Sequence, residues 1–413
     1  MDAPEGPRRA LALRSFRSDA SVDRSASVQL DIALRVVSVA TAVSGDMRRD
    51  WSALHATYSS AYAQYSSPEW VEHVHATRPE ELLKPIVAQD HGRRVAGMVP
   101  LAHCDYDLSC VARGRVMWRW RIPAITILGS EPLVPADAAT HDRLFAAIAA
   151  SDPHADAIYL HSLPTSSFCW LYLNESRWIR EHFLVHVAGG PRPFHLMQVP
   201  RSFEDFVARF RHKQRYNLAR QVRVLRDHAG GDLRLQRVDA AAQVPGFATA
   251  IRSMLHRPQA RMGQLPAVAA DVRQAETLAD AAQRGLLRSY ILFAGDTPCA
   301  VVLGYIWGGI FHYAEVAYHA DFSSFSPGTV LLYLMIEDLV SHERPRLVNF
   351  GIGDAAYKRT FSDLHLEDAS VLLLRKGITN SLRRAGHASF LAVMHGARRA
   401  VDALPALHRL RRG

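Results

Sequence analysis

Three apolar runs at turn spacing, Ser289 to Ala294, Cys299 to Trp307 and Ile310 to His319, most restrict what this chain can fold into. The first two flank Gly295-Asp296-Thr297-Pro298, and Gly308-Gly309 separates the second from the third. Apolar runs punctuated in this way predict an antiparallel meander. A helix over Arg201 to Asp227, a strand over Leu233 to Val238 and a helical region from Val244 to Gln283, broken near Pro258 and Pro266, lead into it. A similar order stands upstream. Ile32 to Val43 predicts a strand, and Asp46 to Tyr65 a helix with Trp51, Leu54, Tyr58 and Tyr62 in one stripe. Ser67-Pro68-Glu69-Trp70 has the cap, proline and acid of a helix start. Lys84 to Leu101 is a hairpin around Asp90-His91-Gly92-Arg93, and Asp142 to Ala150 and Ala157 to Leu163 close the unit with a helix and a strand. Helices feeding antiparallel strands thus occur twice, and the expected fold class is α+β with two similar units in tandem. The breaker cluster Gly189-Gly190-Pro191-Arg192-Pro193 divides a unit at 32–190 from one at 194–376. An N-terminal arm at 1–31, expected to be disordered, and a basic amphipathic tail at 377–413 flank them.

Composition narrows the function class. Cys104, Cys110, Cys169 and Cys299 form no C-x-x-C pair or regular framework, so free thiols in a reducing compartment are expected. No run reaches the roughly 18 apolar residues of a membrane span, and the first 27 residues lack the apolar segment of a signal peptide. A cytoplasmic location follows as the expectation. The net charge is +9, carried almost wholly by arginine: only Lys84, Lys213, Lys358 and Lys376 are lysines among 49 basic residues. The histidines do not cluster at ligand spacing, and His73 and His75 stand two apart, so no metal site is expected. G-x-S-x-G, Walker and G-x-G-x-x-G patterns are absent from the sequence.

Two stretches carry chemistry. The apolar strand ending at Tyr318-His319 passes through a polar loop, Asp321 to Ser326, into Pro327-Gly328 and an apolar helix, Thr329 to Val340. A strand that delivers the chain to a helix N-terminus presents unpaired N–H groups and a positive dipole end, which suit phosphate. Gly328 permits close approach, and Ser326 or Thr329 adds a hydroxyl; an ordinary capped helix is the alternative. The next strand, Arg346 to Gly351, leads through Gly351 and Gly353 to Asp354, Tyr357 and Lys358. A carboxylate and an ammonium there could manage the proton and charge of acyl transfer, or merely cap a turn and face solvent. In the opening helix, Phe203, Phe206, Val207, Phe210, Leu218, Val222 and Leu225 should pack inward. Arg209, Arg211, Lys213, Arg215, Arg220, Arg223 and Arg226 cover the other faces, either solvated or gripping an anionic acceptor.

Phe322-x-x-x-Ser326-Pro327-Gly328, followed by Asn349-Phe350-Gly351-x-Gly353-Asp354-x-x-Tyr357-Lys358-x-x-Phe361, resembles the BioF2-like acetyltransferase domain. That is the CelD-like branch of the GNAT superfamily, related to the Fem peptidoglycan aminoacyltransferases. Lys213-x-Arg215-Tyr216-Asn217-x-x-Arg220 is similar to the family's opening helix. The matched region, Arg201 to Lys376, is under half of the chain; the N-terminal half matches in pattern only and would be a degenerate GNAT-like domain. The resemblance implies a bacterial acyltransferase using acetyl-CoA or another acyl-CoA, no metal, and an amine or hydroxyl acceptor in cellulose, exopolysaccharide or cell-envelope synthesis. Tyr318, Ser326, Gly328 and Thr329 would hold the donor. Lys213, Arg215, Tyr216 and Arg220 would hold the acceptor. Lys358 would stabilise charge, Asp354 or Glu315 would handle the proton, and Tyr357 stands beside them. The usual pyrophosphate signature, Arg/Gln-x-x-Gly-x-Gly/Ala, is absent apart from Gly328. Two other readings stay open. One is a Fem-like transferase using aminoacyl-tRNA, the one case in which nucleic acid would be a partner. The other is a non-catalytic GNAT pair recruited to anionic polymers or to an anionic membrane through the tail, where Phe390, Leu391, Val393 and Met394 share a side.

Overall fold

A computed structural model describes residues 32–403 except 59, 93, 113–114 and 256–270. The N-terminal arm, the breaks at Pro258 and Pro266 and the tail beyond 403 lie outside the described residues. The chain forms two compact units, neither of which is continuous in sequence. One draws on the described residues of Met1–Ser60, Glu80–Arg192 and Glu367–Gly413; the other comprises Ala61–Pro79 and Pro193–Leu366.

In the first unit a long antiparallel ribbon, Leu101–Ala112 with Arg115–Ile127, joins Ala157–Pro164 in parallel through the crossover helix Ala138–Ser151. Strand Leu364–Arg375, most of which belongs to this unit, pairs antiparallel with Ala157–Pro164 and with Phe183–Val187. A small antiparallel sheet, Ala33–Val36, Ile86–Gln89 and Val95–Val99, realises the expected hairpin. Leu144, Phe145, Ile148, Ile158, Leu160 and Leu173 lie in the unit's core. The helix Ile378–Ala403 completes the unit, with His387 buried.

The second unit holds the meander. Its strands are β1 (Arg192–Gln198), β2 (Leu233–Val238), β3 (Ser289–Ala294), β4 (Thr297–Trp307), β5 (Ile310–Tyr318) and β6 (Leu347–Ile352). Their order is β2-β3-β4-β5-β6-β1, antiparallel throughout except for the parallel pair β5–β6. Its helices are α1 (Pro68–Thr77), α2 (Phe203–Ala208), α3 (His212–His228), α4 (Val244–Leu255), α5 (Val272–Gln283), α6 (Pro327–Asp338) and α7 (Ala356–Phe361). Helix α6 makes the β5–β6 crossover, as a parallel connection requires. Phe206, Leu218, Val222, Phe311, Leu331, Met335 and Phe350 lie in one core. Segment Ala61–Pro79 is tied in by polar contacts: His73 Nδ1 lies 2.7 Å from Asp280 Oδ2, Arg284 pairs with Glu72, and Trp307 Nε1 donates to Glu69 at 2.9 Å.

Each unit thus has an antiparallel hairpin, a helical crossover to a parallel strand and an antiparallel closing strand: tandem GNAT-like α+β units. Several boundaries differ from expectation. The first strand ends at Val36, because Ser38 Oγ accepts from Thr41 N and starts a helical turn, Val39–Ala42. The helix expected over Asp46 to Tyr65 is Gly45–Thr57; Tyr62 stacks instead on Phe194 with ring centroids 5.1 Å apart. The helix expected over Arg201 to Asp227 is two helices, α2 and α3. A continuous stripe at i, i+4 would place Gln214 between Phe210 and Leu218 on the apolar face. The chain breaks before it, between Ala208 and His212, and Gln214 sits in the first turn of α3, where its Oε1 accepts from Arg211 N at 3.1 Å. The Ser67 and Ser202 caps form as expected, accepting from Trp70 N and Asp205 N. All four cysteines are free.

Candidate functional site

Strands β5 and β6 pair only at Ile310–Leu347, Phe311–Val348 and His312–Asn349. Beyond that point β5 runs on to Tyr318 and β6 to Ile352 without pairing to each other, so the two strands splay into a wedge. A bulge opens it. Leu303 opposes Glu315 and Gly304 opposes Tyr313, so Ala314 is the extra residue on β5 just past the last β6 pair. Bulges re-aim side chains beside sites in this way. Gly304 is dictated by space, since a Cβ there would lie 2.6 Å from both Arg288 O and Phe311 Cζ.

On the β6 side, Asn349 is buried; its Oδ1 accepts from Gly351 N at 2.7 Å and its Nδ2 donates to Ala61 O at 2.9 Å. Gly351 and Gly353 have φ of +69° and +102°, the left-handed backbone that turns the chain sharply towards α7. Lys358 is 9% exposed, and its Nζ donates to the Ile352 carbonyl at 2.6 Å. Its ammonium is therefore engaged in holding the end of β6. Asp354 is half exposed and paired with Arg359 at 2.7 Å. The Arg359 guanidinium holds its carboxyl below the usual range, which makes it a poor proton acceptor.

Glu315 and Tyr357 come together in the wedge. Tyr357 packs against Tyr313 and Phe350, with centroids 5.9 and 6.5 Å away. Burial, assisted by the Glu315 charge, pushes the Tyr357 hydroxyl up to about 12. Burial raises Tyr313 further. Both phenols keep their protons at neutral pH and can only donate or share them. At the closed end, burial drives His312 down to about 3, so it is a neutral imidazole.

The residues expected to hold the donor lie together at the start of α6. A Cβ on Gly328 would lie 3.7 Å from Tyr318 Cδ1, so the half-exposed Tyr318 ring stands over the α6 N-terminus. Ser326 has φ 54° and ψ 49°, and its hydroxyl makes no cap bond. The N–H groups of Thr329 and Val330 both bond to Ser326 O. Pro327 has no N–H, which leaves that of Gly328 for a ligand in this first turn; the sequence alone suggested several such groups. The loop expected at Asp321 to Ser326 is a 3₁₀ turn, Ala320–Phe325, with Phe322 and Phe325 packed on the core. Lys213, Arg215, Tyr216 and Arg220 are all exposed on α3, and the three cations have no ion-pair partner among the described residues.

Sequence reasoning missed a second group at the end of β6. His195, opposite Gly351 on β1, is buried, with Nδ1 3.0 Å from His365 Nδ1 and 3.2 Å from Ser362 Oγ. Its Nε2 lies 3.6 Å from Asp354 Oδ1. Burial, with His365 beside it, keeps this imidazole below its usual range and neutral. No local motif announces it.

The first unit differs in which strand runs on: Arg115–Ile127 ends at Ile127, itself paired with Leu160, whereas its parallel neighbour continues past that pair to Pro164.

Comparison with known proteins agrees with this geometry. Residues 212–359 match the family model described as an acetyltransferase (GNAT) domain. No curated protein matches the chain. The crystal structure of FemX overlays with a TM-score of 0.55 at 10% identity, covering 83% of this chain and 97% of that one. A tandem GNAT protein from the clavulanic acid biosynthesis pathway overlays at 0.47 and 14% identity, covering 84% and 99%. L-PGS from Bacillus licheniformis overlays at 0.44 and 8% identity, covering 81% and 98%. The fold is that of the GNAT proteins, and the family match falls on residues 212–359, within the second unit.

Proposed function

We propose that the second unit transfers an acyl group, most simply acetyl, from acyl-CoA to an amine, in the manner of the BioF2-like and CelD-like branch, with a cell-envelope or exopolysaccharide acceptor. The observation that carries this reading is the β5–β6 wedge with the α6 N-terminus at Tyr318 and Gly328. A thioester lying in the wedge can bond to backbone groups that β6 leaves unpaired, while Gly328 N–H and the helix dipole receive the pyrophosphate. The acceptor amine attacks the thioester carbonyl, the carbon–sulfur bond breaks, and the thiolate leaves. Glu315 takes the amine proton, directly or through one water, and the protonated Tyr357 hydroxyl donates to the leaving sulfur. Asp354, tied to Arg359, supports the β6 end with His195. The uncompensated cations of α3 would grip an anionic acceptor, with Tyr216 as a stacking face. Such a donor places the reaction in the cytoplasm.

Calorimetric titration with acetyl-CoA and with aminoacyl-tRNA tests the donor. Heat with acetyl-CoA alone supports the proposal, and heat with the tRNA alone overturns it in favour of aminoacyl transfer. With a working donor and an aminosugar screen, Glu315→Gln should lower kcat by about 10²- to 10⁴-fold, the usual worth of a positioned base. Asp354→Asn should stay within about threefold of the parent; the reverse ranking would reassign the base.

A further inference from the structure

The ribbon of the first unit has an end that its own sheet does not use. Residues Arg115 to Arg119 are exposed without the alternation of a half-buried strand, and Val116, Met117 and Trp118 are 58%, 63% and 61% exposed. Val111, across the bulge, is exposed as well. Trp118 leans on Trp120, with centroids 6.2 Å apart. A Cβ on Gly386 would lie 3.4 Å from Trp120 Cη2, so the helix Ile378–Ala403 runs against the same ribbon. That helix adds Leu382 and Val393 as exposed apolar residues, and Arg384 is exposed on it too. Phe390, Leu391 and Met394 are half-buried, so the apolar side expected of the tail presents Val393 alone.

Charge identifies what covers this edge. Arg119 and Arg121 are balanced by Asp107 and Asp105, whereas Arg115 has no ion-pair partner among the described residues. With Leu382 and Val393 of the helix, the four ribbon side chains form an apolar strip on which Arg115 and Arg384 are exposed as well, an apolar body edged by cations. Tryptophan is favoured where an apolar body meets a wet boundary, and arginine beside it can keep its head among phosphates while its stem stays apolar. We propose that the ribbon end, Val111 and Arg115 to Arg119, together with the outer face of the C-terminal helix, docks the protein on an anionic lipid surface.

The test is sedimentation of the full chain with vesicles of phosphatidylcholine, with and without 30% phosphatidylglycerol, at 50 and 300 mM NaCl. The parent should bind the anionic vesicles, and more weakly at high salt as screening shortens. Met117→Ser/Trp118→Ser should bind at least tenfold more weakly with an unchanged circular dichroism spectrum, and Arg115→Glu should reduce the salt dependence. Lipids brominated on the acyl chain should quench parent fluorescence more than that of Trp118→Phe. Equal vesicle binding by parent and double variant would overturn the proposal, as would parent binding to neither vesicle. So would a dimer in sedimentation velocity that the double variant abolishes, which would assign the patch to a second copy of the chain.

Discussion

Replacing Lys358 by methionine separates two roles that the primary structure leaves superimposed. The side chain is buried and its ammonium donates to the Ile352 carbonyl at 2.6 Å, where β6 turns into α7. Methionine keeps most of the stem and removes the donor. A hydrogen bond from a charged group contributes about 1.5–3 kcal/mol, and stranding the carbonyl costs a similar desolvation term. A net loss of about 2 kcal/mol lowers the melting temperature by about 4–8 °C in a unit of this size. Because the lysine supports the turn that carries Tyr357, turnover should fall by less than about tenfold as the loop relaxes. Removing a charge aimed at the reacting carbonyl would instead cost about 10²- to 10³-fold in kcat. Differential scanning calorimetry and steady-state kinetics with acetyl-CoA read both quantities on one preparation. Unchanged melting with a hundredfold loss of kcat would refute the strut and return Lys358 to electrostatic catalysis.

Gly304→Ala should destabilise the second unit by about 1–3 kcal/mol through overpacking against Arg288 O and Phe311, despite the small backbone gain of alanine in a strand. Urea unfolding checks it, and a midpoint at or above the parent's would show that the bulge has room. In the first unit, His186 Nε2 lies 2.9 Å from His387 Nδ1, and burial, with the charges of His387 and Arg384, holds His186 down to about 4. Its folded value lies below the unfolded one, so its contribution is present above about pH 6.5 and is lost as pH falls towards 4. The urea midpoint should drop between pH 7 and 5, and by less in His387→Gln; an equal drop would remove this pair as a cause.

The meander was legible because each strand is an apolar run closed by glycine, proline or aspartate, and Leu233–Val238 falls where the pattern puts it. The strand–helix–strand around α6 was legible for the same reason, since a 12-residue apolar helix can only cross over a sheet face. The ribbon was not. Leu108, Cys110, Ile122 and Ala124 face inward and Asp105, Asp107, Arg119 and Arg121 outward, and that charged outer row breaks up any continuous apolar run. At the site, sequence placed Asp354, Tyr357 and Lys358 at the end of a strand but could not say where the ammonium points. Ile352 O settles that, and only a folded backbone puts it there. His195 is separated from Asp354 by well over a hundred residues, and the two approach because β1 pairs with β6.

The two units share a topology but differ in which strand of the parallel pair outlasts the other. In the first unit the strand Arg115–Ile127 stops at its last partner, Leu160, and it is the parallel neighbour that runs on, to Pro164. In the second, β5 outlasts its last β6 partner by six residues, with the Ala314 bulge at the point of departure and Gly304 making room for it. A length mismatch and one glycine are enough to turn a continuous sheet into a cleft. Filling the position behind the bulge should therefore damage donor binding as well as stability, whereas changes on the ribbon end should leave it untouched.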